Sequence, residues 1–145
     1  MKKGIPQQPS ELYELSIRLF ENAKETLKKS GINTKYSIYE DVKYTQEASE
    51  TAYLAALRAI DGYLVSKGLV SPDKLPTSVQ GYFNILSNFA KTGRNRARDI
   101  LGYFHVVYEN LHILGHYRGG RGVKMIKEGF DNAEKIIQII TKYKK

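Results

Sequence analysis

Apolar residues recur at spacings of three and four along nearly the whole chain, the period of a helix with one buried stripe. In the first such stretch Leu12, Leu15, Leu19 and Ala23 form the stripe. Pro9-Ser10 stands before it, with Ser10 as the expected N-cap and Glu11 and Glu14 in the first turn. Gly31 is the expected stop. Residues 31–40 show no clear period and read as a loop or a short helical turn.

The pattern resumes from about Asp41 to Lys67, ending at Gly68. Ala48, Ala52, Ala55, Ala56 and Ala59 make this second helix rich in small residues, which lets a neighbouring helix approach closely. A loop with Pro72 and Pro76 follows, then a shorter helix capped by Thr77 or Ser78 and running to about Phe89. Lys91–Gly93 breaks the pattern. A fourth helix is predicted from about Arg94 to Tyr117, ended by Gly119, Gly120 and Gly122. The last spans about Val123 to Tyr143, with Ile126, Phe130, Ala133, Ile137 and Ile140 facing inward. No stretch of useful length alternates with period two. The expected fold is all-α: an antiparallel up-and-down bundle of four long helices and one short one, forming a single domain over 1–145 with a flexible start at 1–9.

The length of 145 residues, 41% hydrophobic, agrees with one domain. Having no cysteine, the chain has no means of forming disulfides, iron–sulfur clusters, thiolate zinc sites or a cysteine nucleophile. No apolar run is long enough to span a bilayer. The basic opening MKKGIPQQPS leads into no apolar stretch, so no secretory signal and a cytoplasmic location are expected.

Charge narrows the picture further. The net charge is +8, but residues 1–90 carry only +1 and residues 91–145 carry +7. Lys91, Arg94, Arg96 and Arg98 form one basic cluster; Arg118, Arg121, Lys124 and Lys127 form another. Such a half invites a polyanion, whether nucleic acid or an acidic partner, although a solvated basic face has the same composition. Of these residues Arg94, Arg96 and Arg121 are the candidates for holding a nucleic-acid backbone.

The fourth helix carries the candidate chemistry. At about 100° per residue, Ile100, Tyr103, Phe104, Val107, Leu111 and Leu114 fall on a core stripe. Arg98, His105, Glu109, His112 and His116 fall on the opposite face with Gly102, flanked by Leu101 and Tyr108. Three chemistries fit such a face. One is a solvated surface. Another is a metal site from Glu109, His112 and His116, although a di-iron bundle needs a second Glu-x-x-His that the chain lacks. The third is metal-independent RNA cleavage, in which no cofactor takes part. Arg98 holds the phosphate, and His105 moves the proton of the ribose 2′-hydroxyl or the leaving 5′-oxygen. The mixed face also suits a dimer seam.

Two segments resemble the HEPN superfamily: ETAYLAALRAIDGYLVSKG (Glu50–Gly68), and RDILGYFH (Arg98–His105), which matches an Arg, four to six residues, then His. The resemblance covers about residues 10–143. It implies a helical bundle that dimerises through the fourth helix, with Arg98 and His105 at the cleft as the ribonuclease pair and Asp99 assisting. It also implies a toxin-type or RNA-associated role, with a nucleotidyltransferase or antitoxin partner. Asp99 stands where relatives commonly have Asn, and the tyrosine nearest after His105 is Tyr108, one position later than usual. A non-enzymatic module that dimerises or binds an acidic partner is the alternative. HILGHYRGG (His112–Gly120) is similar, more weakly, to DinB-like metal-binding bundles, whose early-helix histidine has no counterpart before His105.

Overall fold

The structure, a computed structural model, describes residues 8–143. It is an all-α bundle, in the order α1 (Pro9–Lys28), β1 (Ile32–Asn33), β2 (Ile38–Tyr39), α2 (Val42–Ser66), a 3₁₀ turn (Pro72–Lys74), α3 (Val79–Ala90), α4 (Ala97–Val107), a π-helix (Tyr108–Tyr117) continuing α4, and α5 (Val123–Ile140). Of the start expected to be flexible, residues 1–7 lie outside the described residues, and Pro9 already stands in the first turn of α1.

The long second helix is the centre of the fold. Its five alanines are fully buried, and α1, α5 and the π-helix all pack on it. A run of Cβ-only side chains leaves room for these neighbours to come close without voids. Asp41 caps α2, its carboxylate accepting from the Lys43 amide at 3.0 Å. Ser78 caps α3 in the same way, accepting from Gly81.

The stripe of α1 is rotated from the expected one. Leu12, Ser16, Phe20 and Ala23 are buried, while Leu15 and Leu19 lie at its edge. A buried serine is tolerated there because its hydroxyl donates to the Ala55 carbonyl of α2 at 2.6 Å. The N-cap is Gln8 instead of Ser10, because proline fits the first helical turn, where no amide partner is needed.

Residues 31–40 form a small antiparallel hairpin instead of a loop or helical turn. Gly31, at φ +71°, lets the chain leave α1 in a left-handed conformation. The hairpin survives at two residues per strand because it is tied elsewhere. Tyr39 donates its amide to the Arg121 carbonyl at 2.8 Å, and the Val123 amide donates to Ser37.

The fourth helix departs most from expectation. Residues 94–96 precede it, and beyond Val107 the hydrogen bonds close over five residues, as in the Arg118 amide to Ile113 carbonyl bond of 2.9 Å. Two contacts accompany the widening. Asn110 turns inward to donate to the Met125 carbonyl at 3.0 Å and to Glu128 at 3.1 Å. Gly115 presses on α2 so closely that a Cβ there would lie 2.6 Å from Ser49 Oγ. No helix among the described residues is long and apolar enough to cross a membrane.

Candidate functional site

The start of α4 is built by its preceding loop. The Asn95 side chain donates to the Phe89 carbonyl at 3.0 Å and accepts from the Ala97 amide at 3.0 Å, so one residue ties the end of α3 to the first amide of α4. This knot holds Arg94, Arg96 and Arg98 around a cleft of about 540 Å³. Arg96 is committed: its Nε donates to Asp99 at 2.8 Å in a solvent-exposed pair. Arg94 and Arg98 are exposed, and no ion pair or hydrogen bond engages their guanidinium groups among the described residues. Two unengaged guanidinium groups beside the first amides of a helix form an electropositive corner suited to phosphate oxygens.

His105 stands two turns further along the same α-helical stretch and is also exposed. That places it roughly 10 Å along the axis from Arg98. Its ring lies on Phe83 of α3, with centroids 4.2 Å apart and planes 15° from parallel. The stack holds the imidazole at a set inclination while leaving its edge to solvent. Between the two residues is Gly102, and a Cβ there would meet nothing within 4 Å. Arg98, Gly102 and His105 therefore line one open strip.

The other sequence candidates lie elsewhere. Asp99, expected to orient Arg98 or His105, is held by Arg96. Arg121 is at the far end of the helical rod, where its Nη1 donates to the carbonyls of Tyr39 at 3.3 Å and Glu40 at 3.2 Å. It anchors the hairpin and does not join Arg94 and Arg96. The amides of Arg118, Gly120 and Val123 are used in closing the π-helix and pinning the hairpin.

His112 and His116 were expected on the outer face with His105. Instead they lean on α2. His112 Nδ1 lies 2.8 Å from Glu50 Oε1, and His116 Nδ1 lies 3.3 Å from the Gln46 carbonyl. A residue in a π-helix turns through less than an α-helical residue's share, so positions after Val107 lag behind an α-helical wheel. The His112 ring also stacks on Tyr53 at 4.5 Å. Burial pushes the Tyr53 phenol up to about 12, helped by the nearby Glu50 charge, so it stays protonated at neutral pH. Glu109 is exposed. Among the described residues, no group of three or more histidine and carboxylate side chains is placed to hold a metal ion.

Sequence reasoning missed Phe83, Glu50 and Tyr53, the residues that set the histidine rings. Phe83 comes from α3 and Glu50 and Tyr53 from α2, and no local spacing links them to the fourth helix.

No curated protein matches the chain. A solved structure of a protein of unknown function from Dyadobacter fermentans is similar throughout: 33% identity, 92% of this chain and 96% of that one covered, TM-score 0.70. A family model described as a domain of unknown function, DUF5618, matches residues 11–142, from the first turns of α1 to beyond the end of α5. With nearly the whole bundle inside that match, the chain belongs to the DUF5618 family.

Proposed function

We propose that the chain is a HEPN-like, metal-independent ribonuclease module that works as a homodimer through α4. The observation that carries this reading is the open strip of Arg98, Gly102 and His105 beside the arginine cleft. Within one chain the pair supplies a single imidazole, while cleavage needs both a base and an acid. Their midpoint, however, falls next to Gly102. Two copies of α4 packed antiparallel about that point would set Arg98 of one opposite His105 of the other, and the missing side chain of Gly102 permits the close approach.

The seam then holds two guanidinium groups and two imidazoles, and a phosphate at its centre lies between the two imidazoles. One imidazole takes the proton of the 2′-hydroxyl as the 2′-oxygen bonds to phosphorus. The bond from phosphorus to the 5′-oxygen breaks, and the second imidazole, protonated, gives that oxygen its proton. Arg98 stabilises the charge that builds on the non-bridging oxygens. The products are a 2′,3′-cyclic phosphate and a 5′-hydroxyl. Arg94 supplies further backbone attraction, so binding falls steeply with salt.

The test is cleavage of a mixed RNA substrate in EDTA. Wild type is expected to cut, with Arg98→Ala/His105→Ala reduced at least about a hundredfold, as for loss of an acid–base group. Equal activity in the double variant would trace the cleavage to a contaminant and end this reading. Gly102→Trp, which the open space accommodates in the monomer, is expected to abolish dimerisation in sedimentation and cleavage together. An active monomeric Gly102→Trp protein would refute the shared seam. The Arg96–Asp99 pair, which withdraws Asp99 from the strip, favours the second reading of a non-enzymatic module. Dimerisation through α4 without cleavage by wild type would establish that one.

A further inference from the structure

A second feature lies away from α4. A cavity of about 630 Å³ opens between α1, the hairpin and α5. Its walls are apolar: Phe20 and Leu27 from α1, Ile32 and Tyr39 from the hairpin, and Phe130 from α5. Phe20, Tyr39 and Phe130 are buried members of the main core, so this side of the cavity is fixed by packing. Ile32, by contrast, is one of the exposed large apolar side chains of the protein, and it stands at the mouth. An apolar chamber of this size with a few charged groups is the form that small-molecule sites take.

The charged groups identify what would fit. Lys24 is already engaged, donating to the Tyr143 hydroxyl at 2.9 Å and pairing with Glu21 at 2.8 Å. Lys28 has only a loose pair with Glu25 at 3.8 Å between two highly exposed side chains, which holds it weakly. Lys127 has no ion pair among the described residues. The lining also holds two carboxylates one turn apart on α5, Asp131 and Glu134. Glu134 Oε2 is buried and has no hydrogen-bond partner among the described residues. A buried carboxylate oxygen left in that state is costly unless a donor reaches it. The lining thus offers two available cations, two carboxylates and an apolar body.

We propose that this cavity binds an apolar zwitterion, of the class of a short apolar peptide with free termini. Its ammonium group donates to Glu134 and Asp131, its carboxylate meets Lys28 and Lys127, and its side chains lie against Phe20, Tyr39 and Phe130. A simple anion would meet the lysines but face the two carboxylates. A simple cation would satisfy Glu134 but face the lysines. Only a ligand carrying both signs matches both sets. This site is independent of the arginine cleft and of any action on RNA.

Calorimetric titration of the full chain with phenylalanyl-leucine tests it, alongside the N-acetylated and the C-amidated dipeptide and dodecanoate. The free dipeptide is expected to bind, with each capped form at least about tenfold weaker, as befits the loss of one charge-assisted contact. Glu134→Gln should weaken the free dipeptide and leave the N-acetylated form unchanged. Lys28→Met/Lys127→Met should weaken the free dipeptide and leave the amidated form unchanged. Both variants alter partly or fully exposed side chains, and their circular dichroism and melting curves serve as the check on folding. Absence of binding in the millimolar range, equal binding of free and capped dipeptides, or a preference for dodecanoate would each overturn the proposal.

Discussion

Replacing Phe104 by alanine is expected to lower the free energy of unfolding by about 3–5 kcal/mol. Phe104 is fully buried on α4 and is a meeting point of rings from two other helices. Tyr53 of α2 stacks on it at 6.2 Å, Phe83 of α3 lies at 5.1 Å and Tyr82 at 6.3 Å. Alanine leaves a void bordered by three aromatic rings that cannot collapse together, because two separate helices hold them. Against a total stability of roughly 5–15 kcal/mol the loss is a large share. Urea unfolding followed by circular dichroism measures it, and a loss under about 1 kcal/mol would show that the core does not converge on this ring. The effect reaches the candidate site as well. Phe104 supports Phe83, and Phe83 carries the His105 ring.

The second large effect is expected at Asp61. This carboxylate is fully buried on α2, where it accepts from Tyr82 Oη at 2.6 Å and from Arg58 Nη1 at 3.0 Å. Asp61→Ala leaves a phenol and a guanidinium without their acceptor. The Arg58 side chain is 18% exposed, so water relieves part of the penalty, and the expected loss is about 3 kcal/mol, the lower end for a broken buried pair. Tyr82→Phe, which leaves Arg58 in place, should cost about 1–2 kcal/mol. The double variant should lose less than the sum of the two, since both remove the same hydrogen bond.

The pH dependence has a definite sign. Burial raises the Asp61 pKa, outweighing the Tyr82 hydrogen bond and the Arg58 charge that act against it. The folded chain therefore binds this proton more tightly than the unfolded one. Stability from Asp61 is greatest in acid and declines as pH rises from about 4 through the raised value. The gap between wild type and Asp61→Ala should accordingly be wider near pH 4 than near pH 7. A gap that widens toward neutrality would mean that the ion pair with Arg58 dominates.

Much of this architecture was legible along the chain. The alanine run of α2, the Ser78 cap and the five-position stripe of α5 all sit where local chemistry places them, and four of those five α5 positions are buried. Arg98 and His105 keep their expected relation because α4 is α-helical throughout the interval between them. The Arg58–Asp61 pairing was local, between residues three positions apart on one helix. Its burial under Tyr82 was not, since Tyr82 lies on another helix, 21 positions away.

What the sequence by itself determined is the set of helices, the Ser78 cap, the basic second half and the shared face of Arg98 and His105. These follow from near-neighbour rules: period, capping and charge are properties of residues a few positions apart. What only the tertiary structure decided is the rest. The hairpin forms because Arg121 and Val123 pair with it across more than eighty positions. The π-helix accompanies the inward turn of Asn110 toward α5 and the packing of Gly115 on Ser49, and it swings His112 and His116 onto α2. The cavity exists because α1, the hairpin and α5 meet without closing. In each case the deciding contact joins groups that are distant in sequence, and its energy is gained only once the helices are packed, so no local pattern records it.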